Sequence, residues 1–346
     1  MLRDENYDHT VPRRSDGTRQ TLRPVQPWPK GKTFKILSID GGGILGILPC
    51  MILAEVEKRF LDGEAIGKHF DMLVGTSTGG IIALGLGQGK SAQEILKLYT
   101  ERGRYIFPGN RLIRCLRGLA GFAFTPYSRR NLENELRREF QDKLFGSATI
   151  PTCIPSFEGR YGEPYVFKTP HHPDYKKDQH ERLVDVGLST AAAPTFFTAV
   201  KRNGYTFVDG GIWANNPAMI GVVDALTCFD IDRTQIKLLS LGCGQNIYRM
   251  KWWHRIGGRL VWACLFVTSA MRAQSHNALG QAGLLIGRSN MIRLDAPEVA
   301  SRIGMDDVKR ALTEMPPVAR SLVEGAGHNI SEMFLQEQAT GHPQKR

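Results

Sequence analysis

Apolar positions along the chain gather into short blocks whose spacing changes from strand-like to helix-like, with glycines at the changes. "FKILSID" (34–40) is an apolar run of strand type, followed by three glycines and then by "ILPCMILAEVEKRFL". That last stretch has an apolar helical face, and Pro49 is tolerable in its first turn. "FDMLVG", the turn at Ser77 and "TGGIIALGLG" repeat the same order. Two consecutive strand–turn–helix units predict an α/β fold with a parallel sheet, and both turns fall at the sheet's C-terminal edge, where open parallel sheets place ligands.

The pattern stays helical over 91–150, in "SAQEILKLYTERG", "RLIRCLRGLAGFAF" and "SRRNLENELRREFQDKLF", the last with Ser128 as N-cap. "PYVFKT" (164–169), "YTFVDGG" (205–211) and "QIKLLSLGCG" (235–244) read as further strands. "NNPAMIGVVDALTCF" between the last two reads as a helix, and 315–340 as a final helical region. Residues 1–33 are polar and rich in Arg, Pro and Asp, which predicts a flexible basic arm. Residues 34–340 then form a single domain with helical insertions and C-terminal helices, and 341–346 a tail.

At 346 residues and 42% hydrophobic, the chain can bury a sizeable core. Its net charge of +11 predicts attraction to anionic partners: a phospholipid surface, a nucleotide or nucleic acid. Charge alone does not choose among them. The six cysteines (50, 115, 153, 228, 243 and 264) show neither a C-x-x-C motif nor paired spacing with histidine. Neither a zinc site nor a disulfide framework is therefore expected, and a cytoplasmic setting fits. "MLRDENYDHT" lacks the apolar core of a signal peptide. The longest membrane-like stretch, "LVWACLFV" at 260–267, is far shorter than the ~20 residues of a spanning helix. Contact with a membrane would be at its surface.

Two glycine turns carry the chemistry. In "DGGGILG" (40–46), successive backbone N–H groups can converge on one point, a nest for a phosphate or a developing oxyanion. The stretch lacks the Lys-Ser/Thr ending of a P-loop and does not match G-x-G-x-x-G. "GTSTG" (75–79) puts Ser77 where a nucleophile elbow would place it. Each alone also reads as a tight structural turn. Together they point to acyl transfer, which needs oxyanion donors beside the nucleophile.

Ser77 then needs a base. His254, His276 and His328 are the downstream histidines of a Ser, Asp, His order, although each sits in a setting that suits a surface residue. Asp209, ending an apolar strand in "YTFVDGGIWANNPA", is the other candidate. At an ordinary pKa of ~3.9 it is a weak base unless held against Ser77 in a dry site. Its plain alternative is an Asp-Gly turn.

"DGGGILG", "GTSTG", "DGG" (209–211) and "LSTAAAPTFF" (188–197) together resemble, in order and spacing, the blocks of the patatin-like phospholipases. The resemblance covers roughly residues 34–220. It implies a patatin-like three-layer α/β fold, with a mainly parallel central sheet flanked by helices, and acyl-ester hydrolysis by a Ser77–Asp209 dyad without histidine. The backbone N–H groups of Gly41, Gly42 and Gly43 would form the oxyanion hole, and no metal or cofactor is needed. One departure is Leu45, where many members carry an arginine or lysine.

Within the family, "KILSIDGGGILGILP" looks most like the bacterial antiphage phospholipases that a cyclic nucleotide switches on. That likeness implies a cyclic dinucleotide activator, held by basic residues in 101–130 or 245–300, and no nucleic acid partner. The enzyme would be cytoplasmic, and peripheral at the inner membrane surface when active. "RLIRCLRGLAGFAF" and "YRMKWWHRIGGRLVWACLF" have the basic amphipathic and Trp-rich composition of interfacial segments, and equally of ordinary helices packed on a core. They are also candidates for a lid or for a homo-oligomer surface. Two alternatives stand beside the dyad: an α/β-hydrolase-type esterase with a Ser-Asp-His triad, and a non-catalytic nucleotide- or phosphate-binding module.

Overall fold

The structure, a computed structural model, describes residues 24–108, 127–244, 252, 256–300 and 303–339. Eight strands form one mixed sheet: β1 Phe34–Ile39, β2 Met72–Gly75, β3 Thr152–Glu158, β4 Glu163–Lys168, β5 Val200–Arg202, β6 Tyr205–Asp209, β7 Ile236–Leu241 and β8 Met291–Leu294. The order is β5-β6-β3-β2-β1-β7-β8, with β4 also paired to β3. β3, β2, β1, β7 and β8 are parallel, whereas β4, β5 and β6 add antiparallel pairs around β3. The fold is α/β, with a sheet between two helical layers.

Alternation along β1 shows the layering. Leu37 and Ile39 enter the larger core with helices α1 (Ile47–Phe60), α2 (Thr78–Gly87) and α3 (Ala92–Thr100). α4 (Arg129–Phe140), α5 (Leu183–Thr190) and α8 (Val308–Ile330) complete that layer. Phe34 and Ile36 face the other way, toward α6 (Ala218–Cys228) and the C-terminal turns of α7 (Arg259–Ile286). A strand buried on both faces favours apolar residues at most positions, which is why "FKILSI" reads as a near-continuous run interrupted only by Lys35 and Ser38.

Most predicted elements are present within two or three residues. Ser91 caps α3 through a full capping box, whereas Ser128 precedes α4 without a side-chain cap bond. The final helix begins earlier than its hydropathy suggests: α8 starts at Val308, with Asp307 accepting the Arg310 N–H, and one π-turn (Ser331–Leu335) follows it. β3 has no counterpart in the sequence reading, because Pro155 argues against a central strand.

The structure also explains why Pro155 is tolerated. β2 pairs with β3 at Thr152 and Cys153, and β6 pairs with it at Ser156 to Glu158, both along the edge opposite β4. β2 runs parallel to β3 and β6 antiparallel, so their C-terminal ends point at each other across Ile154 and Pro155. Among the described residues, no strand pairs with that edge there, so the missing N–H is not missed. The Pro155 carbonyl instead accepts the Thr190 hydroxyl at 2.6 Å.

The predicted amphipathic segment 111–124 lies outside the described residues, as do Trp253 and His254. Residues 1–23 of the predicted arm and the 341–346 tail lie outside them too. Among the described residues, no helix is long and apolar enough to cross a membrane.

Candidate active site

β2 ends at Gly75, and the chain turns through Ser77 directly into α2. The turn is sharp. Ser77 has φ 54° and ψ −120°, a left-handed conformation that costs a non-glycine residue roughly 1–3 kcal/mol. Its surroundings hold it there: the Ser77 N–H donates to Thr190 Oγ1 at 2.9 Å, and the Thr76 hydroxyl donates to the Ala214 carbonyl at 2.6 Å. Gly79 lies so close to β1 that a Cβ would stand 2.3 Å from the Ile39 carbonyl oxygen, which accounts for the last glycine of "GTSTG".

The facing strand brings Asp209. Ser77 Oγ donates to Asp209 Oδ2 at 2.6 Å, and Asp209 Oδ1 accepts the Gly211 N–H at 2.7 Å. Both side chains are buried. Burial pushes the Asp209 carboxyl up to about 6, against the opposing hydrogen bonds from Ser77 and Gly211. A buried carboxylate with such a pKa, bonded to a serine hydroxyl, is a better base than an exposed aspartate.

The glycine loop lies over Ser77: a Cβ on Gly41 would stand 3.3 Å from Ser77 Cβ. Gly43, at φ +58°, has room for no side chain, because a Cβ would stand 2.6 Å from the Met305 carbonyl oxygen. The three glycines differ as donors. The Gly41 N–H is taken by the Asn215 carbonyl at 3.0 Å, which corrects its assignment as an oxyanion donor. Among the described residues, the N–H groups of Gly42 and Gly43 have no hydrogen-bond partner. α2 begins at Thr78, so the positive end of its dipole also lies at Ser77.

An unpredicted arginine fixes the root of this loop. Arg293 of β8 reaches Asp40 with both terminal nitrogens, at 3.1 and 2.7 Å, and also bonds Ser240 and Asp295. Burial disfavours its charge, but the carboxylates of Asp40 and Asp295 outweigh this and hold the guanidinium protonated. Leu45 is buried in the core.

Beside Ser77 opens a pocket walled by Ile44, Ile81, Leu98, Tyr99, Ile106, Phe107, Leu132, Phe196, Phe197 and Met305. Its walls come from six separate stretches of chain. Of these, Ile44 lies within "DGGGILG", and Phe196 and Phe197 within "LSTAAAPTFF", blocks the sequence had marked. The histidine alternatives are elsewhere. His276 is exposed on α7, and His328 is exposed and 3.1 Å from Glu332.

The fold also assembles metal-ligand types that no sequence spacing announces. Donor atoms of Cys153, His171 and Asp224 lie within 4.8 Å of one another, all buried. The Asp224 carboxylate is already bonded by Lys168 and Tyr175 on one oxygen and by His171 and the Cys153 thiol on the other. A lysine ammonium thus holds the place of a cation.

A family model described as patatin-like phospholipase matches residues 37–222, which include the glycine loop, Ser77 and Asp209. The chain belongs to the patatin-like phospholipase family. Within that family it is 31% identical over 314 residues to a cGAMP-activated phospholipase of Vibrio cholerae serotype O1, covering 79% of this chain and 85% of the relative. A cGAMP-activated phospholipase of Escherichia coli is 35% identical over 221 residues, covering 60% of this chain and 61% of the relative. Patatin-like protein 2 of Oryza sativa is 34% identical over 253 residues, covering 63% and 62%. As a patatin-like phospholipase, the chain is a lipid acyl hydrolase.

Proposed function

We propose that this chain releases fatty acids from membrane phospholipids, with Ser77 as nucleophile and Asp209 as its base. The observation that carries this reading is the 2.6 Å bond from Ser77 Oγ to Asp209 Oδ2, with Ser77 lining an apolar pocket. Asp209 Oδ2 takes the hydroxyl proton as Ser77 Oγ attacks the acyl carbonyl carbon. The N–H groups of Gly42 and Gly43 bind the oxyanion that forms. The ester C–O bond then breaks, and the proton passes from Asp209 to the departing alcohol, leaving an acyl-serine. Water attacks the acyl-serine, gives its proton to Asp209 and releases the fatty acid, and Asp209 returns the proton to Ser77. The apolar walls suit an acyl chain, and water excluded from them strengthens each electrostatic contact.

Peripheral binding at the inner membrane surface fits the +11 charge and the exposure of Trp252 and Ile256, at 69% and 76%. Activation by a cyclic dinucleotide, in an antiphage role, is proposed from the two bacterial relatives described as cGAMP-activated. The test is fatty-acid release from mixed phospholipid vesicles by wild type, Ser77→Ala and Asp209→Asn, with and without a panel of cyclic dinucleotides. Loss of release in both variants and dependence on one nucleotide are expected. Release that survives Asp209→Asn would remove the dyad and return attention to the histidines.

A further inference from the structure

Ser77 lies beyond the C-terminal ends of the parallel strands. At their N-terminal ends, β1, β7 and β8 meet the last turns of α8 around a cleft of about 970 Å³, toward the upper end of the range for small-molecule sites. Its charge is one-sided. Lys30, Lys32, Lys35, Lys237 and Arg288 line it, against the carboxylates of Glu332 and Glu337. Among the described residues, none of these five cations has a carboxylate within ion-pair distance.

Lys35 is the most constrained of them. It is buried, and its ammonium donates to the carbonyls of Phe334 at 3.0 Å and Glu337 at 2.6 Å. Burial lowers its pKa, with partial relief from Asp71. Lys237 donates to Asn290 Oδ1 at 2.6 Å. A concave surface that collects cations without ion-pair partners is stabilised by a bound anion.

Two elements run from this cleft to the glycine loop. β1 carries Lys35 near one end and leads into Asp40 and Gly41 at the other. α8, roughly 34 Å long at ~1.5 Å per residue, continues at its C-terminus into Glu332, Met333 and Phe334 of the cleft. Just before its N-terminus, the Met305 carbonyl accepts the Ile44 N–H at 2.9 Å, and Met305 forms part of the pocket beside Ser77. A shift of α8 along its axis therefore reaches the oxyanion loop and the acyl pocket together.

We propose that this basic cleft is a regulatory site for a small ligand carrying phosphodiester charge, and that α8 and β1 transmit its occupancy to the glycine loop. The coupling rests on the hydrolase reading above, and binding does not. Among the described residues, the expected basic stretch 245–300 contributes Arg288 to it. Two ligand sources share the phosphodiester chemistry: a cyclic dinucleotide and the headgroup of an anionic phospholipid.

The test compares the full chain with Lys30→Glu/Lys32→Glu/Arg288→Glu, with circular dichroism and thermal unfolding to establish that the variant folds. Cyclic GMP–AMP binding is measured by calorimetry without lipid, and binding to phosphatidylglycerol vesicles by flotation without nucleotide. A loss of nucleotide affinity of at least about tenfold, with flotation unchanged, supports the cleft and assigns it to the nucleotide. The converse supports the cleft and assigns it to the headgroup. A variant that binds both as wild type does overturns the inference, as does a folded wild type that binds neither. For the coupling, the midpoint of ligand-dependent, Ser77-dependent release should move with the binding midpoint, and a shift in binding alone overturns it. If wild type releases no fatty acid, the hydrolase reading fails, while the two binding measurements still decide the cleft.

Discussion

Ser77 and Asp209 are 132 residues apart, yet Ser77 Oγ lies 2.6 Å from Asp209 Oδ2 because β2 and β6 run toward each other along one edge of β3. Neither strand pairs with the other. Their meeting is fixed by register on a third strand, with Thr190 bridging the Ser77 N–H and the Pro155 carbonyl at the junction. Four expectations follow from this arrangement and its supports.

Asp209 can accept the Ser77 proton only when ionised. Burial raises its pKa to about 6, so kcat/KM should fall as pH drops through about 6, where an ordinary aspartate would keep activity to about 4. The stability sign is opposite. With a folded pKa above the unfolded one, the ionised group destabilises the fold at neutral pH, and this cost is relieved as pH falls toward the unfolded value. Asp209→Asn should therefore lose about 10²–10⁴ in rate while its urea midpoint at pH 7 stays level or rises. An acid limb near 4, or a clear drop in midpoint, would contradict this account.

Thr190→Val keeps the shape of the side chain and removes its hydroxyl. The Ser77 N–H and the Pro155 carbonyl would each lose a buried partner, at about 1–3 kcal/mol each. Denaturation should register the loss, and kcat should fall because the strained turn at Ser77 is less well held. Unchanged kcat would mean that the turn is held by other contacts.

Arg293 neutralises Asp40 at the root of the glycine loop with a two-pronged contact that a lysine cannot reproduce. Arg293→Met leaves a buried carboxylate without its cation and should cost about 3–5 kcal/mol. Arg293→Lys should retain much of the stability but lower kcat more than it raises KM, if donor placement in the loop is what the fork provides. Equal effects on both constants would argue for a purely structural role.

Leu132 of α4 lines the apolar pocket beside Ser77. Enlarging it in Leu132→Phe should shift release toward shorter acyl chains, read by chromatography of the fatty acids from vesicles of mixed chain length. An unaltered product profile would place the acyl chain elsewhere.

The amino-acid sequence by itself determined whatever depends on neighbours in the chain. Strand β1, the three glycines and helix α1 were legible because burial on both faces, absence of Cβ atoms and helical spacing are local signals. The same holds for the strained turn at Ser77 between β2 and α2. Asp209 was legible as an acid ending a strand, but not as the partner of Ser77 except by resemblance. That partnership depends on β3, which Pro155 concealed and which only the unpaired edge between β2 and β6 makes permissible. Tertiary structure alone decided that Gly41 donates to Asn215 rather than to a reacting oxygen, that Arg293 supports Asp40, and that six stretches of chain wall one pocket. These are contacts between residues far apart in sequence, and their geometry is set by how the layers pack.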